Sequence, residues 1–240
     1  MHAPAPPPIP TDLLLLAYRN GIFPMSDSRD DPEVFWVEPR RRAILPLDGF
    51  RLSKSLAKAI RQDRFDVSCN EVFDAVIDAC AAPRPGHPDS WISGRIRASY
   101  RALHAEGHAH SVECWQDGEL VGGLYGVGFG GVFCGESMFS RRTDASKVAL
   151  AWLVALLKRG GARLLDCQFM TEHLASMGAV EITQARYVAL LGEASGAGEG
   201  DAAGVGARSL PESFESLSSE AEAAGLSPSK LILQSLTHTS

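Results

Sequence analysis

FCGESMFSRRTDASK, from Phe133 to Lys147, begins the strand, helix and strand that set the class of this chain. FCGESMFS is apolar and β-like. Asp144 then offers a side-chain oxygen as N-cap to DASKVALAWLVALLKRGG, whose closing glycines Gly160 and Gly161 stop the helix. LLDCQF, from Leu164 to Phe169, is the next short strand. The two strands set Glu136, Asp166 and Gln168 among sulfur, aromatic and aliphatic side chains, with a cationic run after the first. Carboxylates are rarely buried without a partner, so an acid inside such a run points to a pocket for something polar or positive. The plainer alternative is a strand edge whose Glu136 faces water.

Working outward, HSVECWQDGELVGGLYGVGFGGVFCGESMFS reads as a hairpin turning at Asp117 and Gly118, with two further short strands. Upstream, a helix capped by Thr11 runs through LLLLAYRN to Gly21, and Pro24 prevents its continuation. VFWVEPRRRAILPLD holds two β-like pieces split by Pro39. RLSKSLAKAIRQ, NEVFDAVIDACA and ISGRIRASYRALHAEG have helical spacing, the last two separated by the turn-rich PRPGHPDS. Downstream come a helical turn at HLASMG and a terminal helix in ITQARYVALLG. Strands do not alternate with helices throughout, so a doubly wound parallel sheet is excluded. The expectation is an α/β (α+β) chain with a mixed sheet. It divides into a flexible Pro-rich start (1–10), a small helical and β part (11–65), a main domain (66–192), and a low-complexity linker with an acidic, disordered tail (193–240).

Cys69, Cys80, Cys114, Cys134 and Cys167 are odd in number and form no CxxC pair, which argues against a disulfide framework or zinc ribbon and fits a reducing cytoplasm. No apolar run nears the ~20 residues of a bilayer span, and MHAPAPPPIP lacks the order of a secretory signal. The net charge of −6 is concentrated at the end: from Glu193 onward seven acids face only Arg208 and Lys230, leaving the body nearly neutral. Within the body, bases cluster at Arg40, Arg41 and Arg42, at Arg51, Lys54, Lys58, Arg61 and Arg64, and at Arg141, Arg142 and Lys147. Such patches bind phosphates even on a neutral protein, although a solvated helix face is the simpler reading of the middle group. GVGFGG (Gly126–Gly131) fits a dinucleotide fingerprint in letters but leads into a strand, not a helix. His104, His108 and His110 straddle the helix end at Gly107 and lack a metal-ligand pattern, and Cys134 and Cys167 sit in apolar strands as core residues.

AYRNGIFPM (Ala17–Met25), RAILPLD (Arg42–Asp48), SWISGRI (Ser90–Ile96), GHAHSVECW (Gly107–Trp115), ELVGGLYGV (Glu119–Val127), FCGESMFSRRTDASK and LLDCQFMTEHLASMGAVEI (Leu164–Ile182) resemble, in order, the bacterial leucyl/phenylalanyl-tRNA–protein transferase family. The resemblance spans about Thr11 to Leu191. It implies a mixed-sheet acyl-CoA N-acyltransferase (GCN5 acetyltransferase-like) main domain. It also implies transfer of Leu, Phe and less readily Met from aminoacyl-tRNA to the N-terminal Arg or Lys of proteins, marking them for N-end rule degradation. On this likeness Gln168 contacts the attacking amine, Asp166 orients or polarises it, and Glu136 accepts the aminoacyl ammonium or floors the pocket. Phe133, Met138 and Leu150 line the aminoacyl pocket, and Trp91 stacks near the terminal adenosine of the tRNA. The tRNA backbone falls to Arg40, Arg41 and Arg42 or to Lys54, Lys58 and Arg61. Neither metal nor cofactor is implied, and the expected state is a cytoplasmic monomer that keeps clear of membranes. The rival acyl-CoA-dependent enzymes carry a glycine-bearing phosphate loop before their helix, and RRTDASK has no glycine.

The chain departs from the family at Met25 and Leu153, where relatives carry aromatic residues. The acidic end after Glu193 lies outside the resemblance.

Overall fold

A computed structural model describes residues 6–84, 88–196 and 208–237. Helix α1 (Thr11–Arg19) leads to a two-stranded ribbon, β1 (Phe23–Met25) with β2 (Phe35–Val37). Then come β3 (Arg41–Ile44), α2 (Lys54–Arg61), β4 (Asp66–Cys69), α3 (Phe73–Ala81) and α4 (Gly94–Ala105). The strand meander is β5 (Ala109–Gln116), β6 (Glu119–Phe129) and β7 (Val132–Ser140). The chain continues through α5 (Ala145–Gly160), β8 (Leu164–Gln168), α6 (Glu172–Ser176), β9 (Val180–Thr183) and α7 (Gln184–Ser195), and closes with α8 (Leu210–Ala224) and α9 (Pro228–Thr237).

Seven strands form one mixed sheet in the order β4-β5-β6-β7-β8-β3-β9, antiparallel except for the β7–β8 pair. Parallel neighbours need a crossover, and α5 supplies it. Thirteen of its sixteen residues are buried, as an all-round apolar helix requires. The β5–β6 hairpin turns as expected at Asp117 and Gly118, whose φ values of +54° and +76° give a turn matched to strand twist. One face of the sheet packs on α2, α5, α8 and α9, the other on α1, α3, α4 and α7.

Three expectations are corrected. The part spanning 11–65 is not separate from the main domain, because β3 lies inside the large sheet between β8 and β9. The start is anchored from residue 6 onward: Ile9 is buried, its N–H bonds Ser99 Oγ, and Pro7 O accepts from Arg95; residues 1–5 lie outside the described set. The tail expected to be disordered forms α8 and α9, with Leu217 and Ile232 in the core beside α5. Ser209 and Glu212 build a capping box at the start of α8. Most of the expected linker, 197–207, is outside the described residues, as is 85–87 of the turn-rich loop. The last helix among the described residues is therefore α9, not α7, and α7 begins after an unforeseen strand, β9.

Candidate active site

β7 and β8 pair only as far as Cys134 opposite Asp166. Beyond that point β7 continues while β8 stops at Gln168, and a cavity of about 650 Å³ lies between them. It reaches both faces of the sheet. On the α5 side its wall is mostly apolar, with Leu124, Met138, Leu150, Leu153, Leu165 and Leu174 beside Ser146. On the other side stand Glu136, Gln168, Tyr125 and Trp91. Met25 lines the same cavity, and the segments of Met25 and Trp91 are joined by the Ser26 N–H to Trp91 O bond of 3.3 Å.

Both polar residues sit on broken backbone. In the β6–β7 ladder Tyr125 faces Ser137 and Gly126 faces Gly135, so Glu136 is the extra residue of a bulge. In the β3–β8 ladder Ala43 faces Gln168 and Ile44 faces Asp166, which leaves Cys167 unpaired in the same way. Bulges re-aim side chains beside active sites. Gln168 itself has φ +53°, a left-handed conformation that is uncommon outside glycine and marks a constrained position. Gly126 allows the first bulge, since a Cβ there would come within 2.3 Å of Cys134 O and 2.4 Å of the Phe133 ring.

A buried ion pair supports this geometry from below. Arg42 and Asp166 are both 0% exposed. Arg42 Nε donates to Asp166 Oδ1 at 2.9 Å, Nη2 to Oδ2 at 2.5 Å, and Nη1 to Gly21 O at 3.0 Å. Tyr187 donates to Asp166 Oδ2 at 3.0 Å, and the guanidinium lies over the rings of Phe23 and Tyr187 at 4.8 and 4.3 Å. Desolvation opposes the Arg42 charge, but the hydrogen bonds and charge of Asp166 outweigh it and hold the group above its usual range. Asp166 Oδ1 also accepts the backbone N–H of Gln168 at 2.9 Å. The carboxylate thereby fixes the turn that presents the Gln168 side chain.

Gln168 Nε2 donates to Glu136 Oε1 at 2.8 Å, which turns the amide oxygen away from Glu136. Tyr100 donates to Glu136 Oε2 at 3.0 Å, and the Tyr18 hydroxyl bonds that of Tyr100. Burial pushes the Glu136 carboxyl up to about 7, against the pull of hydrogen bonds from Tyr18 and Tyr100. Glu136 is nonetheless partly exposed, and the cavity is the open side. An acid poised near neutrality beside a fixed amide can accept and return a proton at ordinary pH.

Of the residues expected here, Glu136, Gln168, Met138, Leu150 and Trp91 meet at the cavity. Asp166 does not line it and meets the site through its bond to the Gln168 backbone N–H. Phe133 is a correction: it is 2% exposed, outside the cavity wall, with its ring against Gly126 and Gly128. Arg42 is another, because its guanidinium is enclosed with Asp166 and offers nothing to a phosphate. Arg40 is exposed and Arg41 is exposed but paired with Glu181, while Lys54, Lys58 and Arg61 form an exposed face of α2. Sequence reasoning missed the tyrosines. All four in the chain, Tyr18, Tyr100, Tyr125 and Tyr187, are at most 1% exposed and gather around Glu136 and Asp166. Their scarcity together with their placement in apolar helices and strands was the available signal. Among the described residues no group of three His, Cys, Asp or Glu side chains could hold a metal, and no helix is long and apolar enough to cross a membrane.

Residues 44–192 match the family described as leucyl/phenylalanyl-tRNA protein transferase, and residues 8–40 match its N-terminal domain. Proteins named leucyl/phenylalanyl-tRNA–protein transferase are similar over most of the chain. That of Novosphingobium aromaticivorans is 61% identical, covering 98% of each chain. That of Rhizorhabdus wittichii is 61% identical over 82% of this chain and 80% of its own, and that of Zymomonas mobilis 65% identical over 73% and 66%. Among solved structures, L-PGS from Bacillus licheniformis aligns over 69% of this chain and 55% of its own at 13% identity with a TM-score of 0.38, too weak a likeness to bear on the fold.

Proposed function

The chain belongs to the leucyl/phenylalanyl-tRNA protein transferase family, and on that premise we propose that it moves Leu, Phe and less readily Met from aminoacyl-tRNA to the N-terminal Arg or Lys of proteins at the cavity between β7 and β8. The observation that carries the site assignment is the meeting of an apolar compartment with the hydrogen-bonded Glu136 and Gln168 pair in one cavity. The aminoacyl side chain enters the compartment of Met138, Leu150 and Leu153, where a flexible thioether suits unlike shapes. Trp91 stacks on the unpaired terminal base.

An aminoacyl ester is already activated, so holding two substrates together supplies much of the rate. The lone pair of the acceptor amine attacks the ester carbonyl carbon. A C–N bond forms, the C–O bond to the ribose breaks, and one proton passes from the amine to the departing ribose oxygen. Gln168 Oε1 accepts an N–H of the incoming amine, and Glu136 takes the released proton and returns it to the ribose oxygen. Asp166, held by Arg42, is a positioning residue for Gln168. Phosphates of the tRNA body fall to the exposed Lys54, Lys58 and Arg61, with Arg40 and Arg41. The mixed sheet with its α5 crossover and parted parallel strands accords with descent from the GCN5-type acyltransferases. A monomer working in the cytoplasm fits the substrates, and the product enters N-end rule degradation.

Incubating the protein with leucyl-tRNA and an Arg-initiated peptide, and separately with acetyl-CoA and the same peptide, tests the reading. Leucyl transfer without added nucleotide is the expected result. Acylation from acetyl-CoA alone would overturn it.

A further inference from the structure

The cavity wall carries two arginines that the transfer chemistry leaves unused. Arg84 stands just past α3 and Arg141 just past β7, and both are exposed residues that line the cavity. Among the described residues no carboxylate pairs with either side chain. Glu136 is the one acid on the same wall, and it is already engaged by Tyr100 and Gln168. Arg141 is ordered before any ligand arrives: its Nη1 donates to Leu120 O at 2.9 Å, and its guanidinium lies over the Phe139 ring at 5.3 Å. Phe139 belongs to the core cluster built on α3 and α4, against which Trp91 packs. Arg84, Arg141 and Trp91 therefore share one cavity and the side of the sheet away from the apolar compartment on α5.

An aromatic face beside unpaired guanidinium groups suits a single-stranded nucleotide: the ring takes the base and the planar forks take phosphate oxygens. Charge decides which substrate they serve. An acceptor that begins with Arg or Lys brings a cationic side chain beside its amine, which two arginines repel, whereas the 3′ end of a tRNA brings one negative charge per phosphodiester. We propose that Arg84 and Arg141 bind the phosphodiester on the 5′ side of the terminal adenosine while Trp91 stacks on its base. The contact deepens the proposed transfer reaction and rests on it. It anchors the donor next to its ester, and the exposed bases of α2 with Arg40 and Arg41 hold the distant tRNA body. A phosphate carries no sequence information, so the choice of amino acid stays with the apolar compartment.

The test uses two unreactive donors on the full chain, after the parent has been shown to transfer leucine; a parent that transfers none would sink the reaction itself, not this contact. One donor is leucine joined through an amide to 3′-amino-3′-deoxyadenosine, and the other is the same nucleoside carrying a methyl phosphodiester on its 5′ oxygen. As competitors of leucyl-tRNA, the phosphodiester should bind the parent about tenfold tighter than the nucleoside, the size of a charge-assisted contact. Arg84→Ala with Arg141→Ala should lose that gain and bind the nucleoside as before, and the log–log salt slope of phosphodiester binding should fall by about 0.7. Arg84→Ala alone, at an exposed position, should lose part of the gain. Arg142→Ala removes the same charge from an exposed residue off the cavity wall and should change neither affinity. A parent that binds both donors equally, a gain that survives in the variants, a loss shared equally by both donors, or the same loss in Arg142→Ala would overturn the assignment.

Discussion

Arg42→Met removes the guanidinium and keeps an apolar stem of similar reach, which isolates the buried ion pair. In the variant the Asp166 carboxylate, 0% exposed, retains the Tyr187 hydroxyl, the Gln168 N–H and the Cys134 thiol but no positive charge. Removing one member of a buried pair costs about 3–5 kcal/mol. Gly21 O loses its 3.0 Å donor as well, worth about 1 kcal/mol. For a chain of this size each kcal/mol moves Tm by about 2–4 °C, so a fall of roughly 8–24 °C is expected. Urea unfolding of the parent, Arg42→Met, Asp166→Leu and the double variant gives the cycle. The double variant should regain most of the loss, because an apolar pair of similar volume leaves no stranded charge. A single variant within about 1 kcal/mol of the parent, coupled with a shallower salt dependence of tRNA binding, would refute the reasoning and return Arg42 to the phosphate contacts.

Glu136→Gln should stabilise the protein in a pH-dependent way. The carboxyl is raised from 4.5 to about 7 on folding, so its burial costs nothing below the unfolded value and costs more as pH rises through 7. The variant's advantage should grow from pH 4.5 to 7 toward about 3 kcal/mol, and a difference that stays flat between pH 5 and 8 by urea midpoints would contradict it. The triple variant Lys54→Ala, Lys58→Ala, Arg61→Ala should keep its fold and lower the log–log salt slope of tRNA binding by about 0.7–0.9 per lost contact; an unchanged slope moves the tRNA elsewhere. Ile232→Ala, at a position that is 0% exposed, should destabilise by about 2–5 kcal/mol. A change below about 0.5 kcal/mol would mean that α9 is not part of the core.

The strand, helix and strand from Phe133 to Gln168 were legible because the closing glycines and the apolar pattern are local signals; Asp144 stands at the N-cap position as expected, but its side chain makes no cap hydrogen bond. The Asp117–Gly118 hairpin was legible for the same reason. β9 was not: Val180–Thr183 is a largely exposed edge strand, and its alternation of Val180 and Ile182 with Glu181 and Thr183 spans only four residues. Arg42 looked like one of three adjacent cations, yet a strand alternates its faces, so one of Arg41 and Arg42 had to point inward. Its partner lies 124 residues away, which no local pattern reveals. α8 was hidden by its acidic composition, although Ser209, Glu212 and the spacing of Leu210, Leu217 and Ala221 spelled a capped amphipathic helix. Glu136, Gln168, Met138 and Leu150 were expected from the residues and the family likeness, and they line one cavity. The bulges at Glu136 and Cys167 arise from pairing between distant strands, and they decide why Gln168 faces the cavity while Asp166 stays beneath it.

The most direct test of the account is single-turnover leucine transfer to an Arg-initiated peptide by Gln168→Ala, measured beside its affinity for leucyl-tRNA. Gln168 holds Glu136 at 2.8 Å and contributes only a small part of the cavity wall. The account predicts a loss of transfer of about 100-fold with tRNA affinity within about threefold of the parent. Transfer at the parental rate, or an equal loss of transfer and affinity in folded protein, would contradict it.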